Sequence, residues 1–291
     1  MRLSSEEKEI IYEIAEELTG TCQQGRYRKD ILANNVIRRM HVTGHHELWH
    51  YIEFAMESLN EFSHLISALT IHTTSWFREI HHYEQLKEYA LKNIEKFKKR
   101  PFVMLCAACS TGEEVYSFAL VLEELRLLNP GFEYRIDAFD LDPVSIGSAR
   151  EATYDMEAGL KSIPLIYRNY MEFSTIEDKL FFQPDSNIRK RCFFSTGNLT
   201  EMTINPKAYS HVVCRNALIY FDGNAIKKVV SDLLRQLDDE GVLVLGSSDF
   251  INVKEHSIKS IGNTRFVCEK SSKKAPLISG QDEKTKELKY A

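Results

Sequence analysis

Two adjacent carboxylates, Glu113 and Glu114, follow a turn of small residues that joins a predicted strand to a predicted helix. The strand is the apolar run 102–105, and the turn contains a single glycine, Gly112. A strand that enters a helix over small residues allows a nucleotide-like ligand to approach the backbone of an open α/β sheet. A phosphate site would favour more glycines and no acid pair, whereas two carboxylates suit hydroxyl groups or a cation. The turn is therefore predicted to bind a ligand with a ribose diol and a sulfonium, such as S-adenosylmethionine.

Polar residues also follow later predicted strands, at the ends where ligands bind in an open parallel sheet. Asp140 and Asp142 follow the second strand, and Pro143 suits the first turn of a helix. We therefore expect Asp142 to cap that helix and Asp140 to bind ribose hydroxyls. Asn198 lies in a later loop and can hydrogen-bond an adenine edge, although asparagine is also an ordinary loop residue.

The segment 214–222, Cys-Arg-Asn-Ala-Leu-Ile-Tyr-Phe-Asp, combines a polar strand end with an apolar run and a capping aspartate. This pattern puts Asn216 and Tyr220 beside the predicted ligand crevice. An ordinary strand–loop–helix joint with a buried tyrosine has the same pattern, and the residues alone favour that second interpretation.

The elements that position these residues fall into two parts. Residues 1–95 contain few glycines and no proline, which predicts an all-helical region. The predicted helices cover residues 5–20, 29–40, 46–59, 61–69 and 75–99. After Pro101, strands alternate with helices, which predicts an α/β fold with a Rossmann-like, doubly wound, mostly parallel sheet. The predicted strands cover residues 102–106, 134–139, 211–214, 242–245 and 265–269.

One stretch interrupts this alternation. Residues 165–195 contain Phe181-Phe182-Gln183 and Cys192-Phe-Phe-Ser195, which we interpret as a small antiparallel β insertion. We therefore predict a helical N-terminal domain over residues 1–80 and an α/β domain over 81–270. The polar tail, 271–291, is expected to be disordered.

The length and composition limit the classes of protein to which this chain can belong. The chain has 291 residues, an ordinary globular composition and a net charge of −5. No apolar run reaches the roughly 20 residues that span a bilayer, and no signal peptide is visible. We expect a cytoplasmic protein without direct membrane insertion. The absence of a broad basic surface argues against nucleic acid as a partner.

No metal or disulfide site is expected. The six cysteines are dispersed and suit reduced thiols, and the pair Cys106 and Cys109 lacks a second ligand pair. The histidines form two groups in which we found no acid or thiol at ligand spacing, and we interpret them as partly solvated helix residues. These groups are His45, His46 and His50, and His72, His81 and His82.

A basic segment lies within the helical region. Residues 21–40 carry five basic residues against Asp30 alone, a net charge of +4. A solvated helix face and a docking surface for an acidic partner explain this charge about equally well. The basic residues are Arg26, Arg28, Lys29, Arg38 and Arg39.

Five segments together resemble the CheR family of chemoreceptor glutamate methyltransferases, and the similarity extends over about residues 5–270. The resemblance implies a class I methyltransferase-like fold. It also implies methyl transfer from S-adenosylmethionine to receptor glutamates in chemotaxis adaptation, with S-adenosylhomocysteine as the product. The segments are Thr73–Glu79, Ala108–Ser117, Phe139–Asp142, Gly197–Leu199 and Cys214–Asp222.

The resemblance also assigns site residues. Arg78 and Tyr220 would be catalytic, with Tyr220 near the methyl group, and both are candidates for orienting the acceptor carboxylate. The basic segment, through Arg28, Lys29, Arg38 and Arg39, would dock the acidic methylation helix of a receptor. The cofactor would be bound by Thr74, Arg78, Glu114, Asp140, Asn198, Leu199, Asn216 and Ala217, with Glu113 as the alternative to Glu114.

The chain departs from the family pattern at several places. His72 stands where asparagine is common, and Gly246-Ser-Ser-Asp249 replaces Gly-His-Ser-Glu. Residues 176–179 and 183–187 contain no glycine, whereas family members that bind a receptor pentapeptide have a glycine-rich loop there. We expect a monomeric enzyme that is independent of such a pentapeptide. The alternatives are a non-catalytic S-adenosylmethionine-binding regulator and a methyltransferase of the same fold that acts on another substrate.

Overall fold

The computed structural model describes residues 3–22 and 26–269. Its first four helices share a hydrophobic core of their own, which includes Ile11, Leu32 and Tyr51. Ser4 and Glu7 form a capping box at the first helix, so this helix begins where the sequence predicts. The four helices are α1 (Ser5–Thr19), α2 (Arg26–Thr43), α3 (Leu48–Glu57) and α4 (Leu59–Ala68).

A seven-stranded sheet forms the centre of the α/β part. Its strands are β1 (Phe102–Ala107), β2 (Tyr134–Asp140), β6 (Cys192–Thr196), β7 (Tyr209–Cys214), β8 (Leu237–Leu245), β9 (Ile258–Ser260) and β10 (Arg265–Cys268). The strand order is β6-β2-β1-β7-β8-β10-β9, in which the first five strands are parallel and β10 pairs antiparallel with both β8 and β9. Because β1 lies between β2 and β7, the chain reverses its direction of progress across the sheet beside β1. Such a point forms a ligand crevice in open α/β sheets.

Two hydrophobic clusters cover this sheet. One includes Leu86 and Phe118, and the other includes Val230 and Leu233. The predicted α/β class is therefore confirmed. The helices of this part are α5 (His81–Lys92), α6 (Ile94–Phe97), α7 (Glu113–Leu128), α8 (Pro143–Glu151), α9 (Met156–Gly159), α10 (Ser186–Arg189) and α11 (Gly223–Gln236). None of the helices in the described part of the chain is long and apolar enough to cross a bilayer.

The small antiparallel sheet exists, but its boundaries differ from our prediction. Its order is β3-β5-β4, formed by Tyr154–Asp155, Lys179–Pro184 and Met171–Ile176, respectively. The segment 192–195 does not belong to it, because β6 pairs in parallel with β2 at the edge of the main sheet. An edge strand alternates buried and exposed residues, as Cys192 and Phe193 do, and this pattern resembles an antiparallel strand.

The predicted helix over residues 75–99 is wrong at its start and is not continuous. Residues 71–80 form a loop in which Phe77 and Glu79 have positive φ angles of 51° and 58°. Trp76 and Phe77 are buried in a cluster of the α/β part, so tertiary packing keeps this segment out of a helix. Asn93 then separates α5 from α6. Ile71 packs against the core of the first four helices, whereas Trp76 packs into a core of the α/β part. The chain therefore passes from one core to the other somewhat before residue 80, where we predicted the domain boundary.

Candidate active site

The turn between β1 and α7 has an unusual backbone. Ala108, Ser110 and Gly112 have positive φ angles of 58°, 49° and 92°. Such angles in residues other than glycine cost on the order of 1–3 kcal/mol each and persist only where surrounding contacts impose them. Here the Cys109 amide donates to the Phe139 carbonyl at 3.0 Å, and the Ser110 amide donates to Asp140 Oδ2 at 2.7 Å. The end of β2 therefore holds this turn in place.

Asp140 also accepts a hydrogen bond from the Asp142 amide, at 3.0 Å from Oδ1. Burial raises the pKa of the Asp140 carboxyl. A carboxylate has about four acceptor positions, so Asp140 retains capacity for two further donors such as a ribose diol. Asp142 caps α8 by accepting from the Val144 and Ser145 amides, each at 3.0 Å, as predicted.

A cavity of about 310 Å³ opens at the carboxyl ends of β1, β2 and β7. Its volume lies at the lower end of the range for small-molecule sites. Residues from α1 and from the loop after α4 complete its wall, so both parts of the chain enclose it. All nine residues assigned to the cofactor or to catalysis line this cavity: Thr74, Arg78, Glu114, Asp140, Asn198, Leu199, Asn216, Ala217 and Tyr220.

The two acidic residues at the start of α7 have different environments. Glu114 lines the cavity, its side chain is 13% exposed, and it forms an ion pair with Arg215. Burial nevertheless raises the pKa of Glu114. Glu113 instead accepts a hydrogen bond from Thr111 Oγ1 at 2.7 Å, and among the described residues it is not part of the cavity wall.

Arg215 is a site residue at a predicted polar strand end, but the sequence assigned it no role. Its side chain is only 1% exposed, and it donates to Glu114, to the Arg78 carbonyl and to the Tyr83 hydroxyl. A guanidinium this deeply buried requires charged partners. The sequence signal for this role was the position of Arg215 directly after the apolar strand β7, because a charge at the end of a buried strand must be paired.

A second buried carboxylate holds the turn after β7. Asp249 accepts from the amides of Asn216 at 2.6 Å, Gly246 at 2.9 Å and Leu218 at 3.0 Å. Asn216 has a φ of 57°, and its side-chain amide donates to Ser248 Oγ. A Cβ atom on Gly246 would lie 2.6 Å from the Asn216 nitrogen, so this position requires glycine. The shorter acid at residue 249 therefore still organises the cavity wall.

Comparison with known proteins agrees with this geometry. The family model described as "CheR methyltransferase, SAM binding domain" matches residues 72–267. The chain belongs to the CheR methyltransferase family. The chemotaxis protein methyltransferase of Salmonella typhimurium is 28% identical over 249 residues, which cover 84% of each chain. That of Escherichia coli is 25% identical over 248 residues, again 84% of each chain. Chemotaxis protein methyltransferase 2 of Vibrio cholerae is 29% identical over 219 residues, 74% of this chain and 75% of its own.

S-adenosylmethionine is the cofactor of this CheR-family protein, and its cavity fits that molecule. The Ser110 hydroxyl lies in the wall, is buried and has no hydrogen-bond partner among the described residues, so a ligand atom can satisfy it. Asp140 offers acceptors for hydroxyl groups, Asn198 offers an amide, and Arg78 offers a guanidinium for a carboxylate. Arg78 donates to the Thr73 carbonyl at 3.1 Å, which orients its side chain at the cavity.

The basic helix α2 of this CheR-family protein carries charges that are partly neutralised. Lys29 pairs with Glu9 at 2.8 Å, and Arg39 makes two hydrogen bonds of 2.6 Å with Glu61, whose side chain is 4% exposed. Burial raises the pKa of Glu61, but the hydrogen bonds and charge of Arg39 outweigh this and lower it overall. Arg38 is exposed and bonds to Asn35, with no acidic partner among the described residues. The side chain of Arg28 lies outside the described part.

A groove of about 520 Å³ between α2 and α4 adjoins the cofactor cavity. Arg38 and Arg39 line the groove, and both spaces share the wall formed by Thr70, Ile71, His72 and Thr73. His72 Nε2 lies 3.3 Å from Asp142 Oδ2, and its Nδ1 lies 3.2 Å from Ser145 Oγ. His72 thus joins the loop after α4 to the capped start of α8.

The interpretation of the second histidine group as solvated helix residues is wrong for two members. His72 lies outside any helix. His82 lies in α5, but its side chain is 1% exposed and lies close to Glu79, the acid that sequence spacing did not suggest. The fold places that acid beside the ring because Glu79 adopts a left-handed backbone conformation just before α5.

Proposed function

We propose that this methyltransferase transfers the methyl group of S-adenosylmethionine to the side-chain carboxylates of specific glutamates in the cytoplasmic methylation helices of chemoreceptors. The products would be γ-methyl esters and S-adenosylhomocysteine. One observation carries the proposal: a groove lined by basic residues adjoins the cofactor cavity through a shared wall, residues 70–73. An acidic helix that lies across this groove would bring one of its side chains toward the cavity. The matched relatives named chemotaxis protein methyltransferases support this choice of substrate.

The proposed cofactor contacts follow from chemistry. Asp140 accepts from the ribose hydroxyls, Asn198 reads the adenine edge, and Arg78 pairs with the carboxylate of the amino-acid head. Glu114 forms an ion pair with Arg215 and also lines the cavity, where its carboxylate can accept a hydrogen bond from the ligand. Thr74, Leu199, Asn216 and Ala217 complete the wall around the bound molecule. The cofactor supplies an electrophilic methyl group on a cationic sulfonium.

The acceptor requires little chemical activation. A glutamate carboxylate is ionised near pH 7, so its oxygen can attack the methyl carbon without a general base. The protein contributes positioning in line with the departing sulfur and removal of water from the nucleophile. Tyr220 and Arg78 line the same cavity, and we assign them the orientation of the acceptor carboxylate.

We also propose that the two parts of the chain have different functions. The helical residues 1–80 dock the receptor through Arg28, Lys29, Arg38 and Arg39. Residues 81–270, together with Thr74 and Arg78 of the preceding loop, carry out methyl transfer as a monomer in the cytoplasm. The β4–β5 hairpin supports independence from a receptor pentapeptide. Its loop is only Glu177-Asp178, both with positive φ, and therefore forms a tight turn without a glycine-rich segment.

Methyl transfer can be measured directly. The full chain is incubated with methyl-labelled S-adenosylmethionine and receptor cytoplasmic fragments, and base-labile label is counted. Esters on receptor glutamates are expected, together with their loss when those glutamates are changed to alanine. Cofactor binding without ester on any receptor would favour a non-catalytic regulator. Base-stable label on another molecule would favour a same-fold methyltransferase with a different substrate.

Pentapeptide independence has its own test. Titration of the isolated protein with a receptor C-terminal pentapeptide is expected to show no binding at micromolar concentrations. Measurable micromolar affinity would overturn this part of the proposal without affecting the assignment of the reaction.

A further inference from the structure

The start of α5 contains a group of potential metal ligands that the proposed reaction does not use. One ligand atom each from Glu79, His81 and His82 lies within 4.8 Å of the others. His82 is deeply buried, whereas His81 is partly exposed. This cluster lies outside the wall of the cofactor cavity, but Glu79 Oε2 is 3.4 Å from Arg215 Nη2.

The hydrogen bonds of His82 identify its free nitrogen. Nε2 lies 3.0 Å from the Asn263 carbonyl, which can only accept, so Nε2 carries the proton. In the neutral ring, Nδ1 then has a free lone pair, and Nδ1 is buried without a hydrogen-bond partner among the described residues.

Glu79 presents a second unsatisfied acceptor to the same place. Its Oε1 accepts from the Ser247 hydroxyl at 2.8 Å, whereas its buried Oε2 has no hydrogen bond within the described part. Oε2 lies 3.5 Å from His82 Nδ1, so two lone pairs face each other in a buried site. Such an arrangement costs free energy unless a proton donor or a cation lies between them.

The local charges favour a cation. Arg215 is already engaged by Glu114 and by the Arg78 carbonyl, so the charges of Arg215 and Glu114 offset each other. Glu79 is a second, more distant partner of the same guanidinium at 3.4 Å, so two carboxylates share the single positive charge of Arg215. Two imidazoles and one carboxylate form a donor set of the kind that holds zinc with an open fourth position.

We propose that Glu79 Oε2, His82 Nδ1 and a ring nitrogen of His81 bind a divalent transition-metal ion of the zinc class. Tetrahedral ligand atoms around zinc lie about 3.3 Å apart, so binding draws the partly exposed His81 ring inward. The exposure of His81 also provides the entry path for the ion. The bound ion stabilises the loop before α5, whose backbone carbonyl at Arg78 holds Arg215.

Metal binding tests the proposal independently of methyl transfer. The full chain is stripped with a chelator and titrated with Zn²⁺ by calorimetry, and with Co²⁺ by visible absorption. We expect one saturable site with micromolar or tighter affinity, tetrahedral Co²⁺ bands, and a rise in melting temperature on adding Zn²⁺. His81→Ala and Glu79→Gln should each weaken binding at least tenfold. His81→Ala is the cleaner variant, because the side chain is partly exposed and the apoprotein should melt as the parent does.

The matched control is the double variant His46→Ala/His50→Ala, which removes two exposed histidines elsewhere in the chain. Its zinc affinity should equal that of the parent. The proposal is overturned if no saturable site is found, since a bridging water then satisfies the two acceptors. It is also overturned if His81→Ala binds zinc as the parent does, or if only the control variant loses binding.

Discussion

The cofactor cavity and the basic face of α2 both depend on charged residues, but they use them in opposite ways. In the cavity, the Arg215 side chain is 1% exposed and donates hydrogen bonds to three partners, and Asp140 accepts hydrogen bonds from two backbone amides. On α2, Lys29 and Arg38 are solvent-accessible and have one polar partner each among the described residues. A small ligand of fixed shape requires groups that are oriented before it binds. A partner helix can be attracted by charges that remain solvated until it docks.

The difference predicts where substitutions will be severe. Removing a buried partner leaves another charge unpaired in a low-dielectric interior, whereas removing an exposed one returns its partner to water. Arg39 lies between these extremes, because it is on α2 but binds the buried carboxylate of Glu61. The following predictions separate the two regions, beginning with the largest expected effect.

Arg215→Met should lower the free energy of unfolding by about 3–5 kcal/mol, because Glu114 loses its buried partner. Methyl transfer should be lost as well. Urea denaturation measures the first effect and the ester assay the second. Arg38→Met is the control, with a stability change within about 0.5 kcal/mol. Equal stability of the two variants would contradict the contrast between cavity and surface.

Asp140→Asn should weaken binding of S-adenosylmethionine by roughly 10- to 100-fold, since hydrogen bonds to a charged group contribute about 1.5–3 kcal/mol. Calorimetric titration measures this affinity. Glu113→Gln, in the same turn but outside the cavity wall, should bind the cofactor as the parent does. The assignment of Asp140 fails if the two variants lose affinity equally.

Cofactor affinity should also depend on pH through Asp140. Burial raises the pKa of this carboxyl above its ordinary value of 3.8, so on acidification it takes up a proton earlier than an exposed aspartate. The protonated group loses acceptor capacity, and affinity should therefore fall as the pH drops toward this raised pKa. Asp140→Asn should flatten this dependence, and an unchanged profile in the variant would implicate another group.

Arg39→Ala should destabilise the helical part by about 1–3 kcal/mol, because Glu61 is left as a buried carboxylate with the Tyr51 hydroxyl as its remaining described side-chain partner. The affinity for S-adenosylmethionine should not change. Thermal unfolding followed by circular dichroism measures the first quantity and calorimetry the second. A normal melting temperature together with a raised KM for receptor would show that Arg39 acts mainly in docking.

Arg38→Ala should give the smallest effect. An exposed ion pair with a receptor acid contributes less than about 1 kcal/mol, so the KM for receptor should rise by up to roughly fivefold. The kcat and the melting temperature should remain unchanged. Steady-state kinetics at two ionic strengths measure this, and the difference from the parent should shrink at high salt. A change in kcat alone would show that Arg38 does not contribute to receptor docking.

Local signals in the sequence predicted much of the cavity. The small-residue turn, the cap at Asp142 and the polar strand ends depend on neighbours within a few residues, so their patterns are visible in the chain. The nine residues that the family resemblance assigned to the site all line the same cavity. The choice between Glu113 and Glu114 could not be made in this way, because both occupy the same helical turn.

The failures share a physical cause. The helix that we predicted from residue 75 does not form there, because Trp76 and Phe77 pack into a core of the α/β part. The burial of His82 and its approach to Glu79 depend on contacts with residues 263 and 264. Helical periodicity contains no information about such distant partners.

The sequence by itself determined the fold class and the small-residue turn with its acid pair, because both follow from the period of apolar residues and from local turn and cap chemistry. The full set of segments that line the cavity came from the resemblance of the sequence to a family. Only the tertiary structure decided that Glu114, rather than Glu113, lines the cavity and that Arg215 neutralises it. The partners in that ion pair lie 101 residues apart in the chain, and folding alone brings them together.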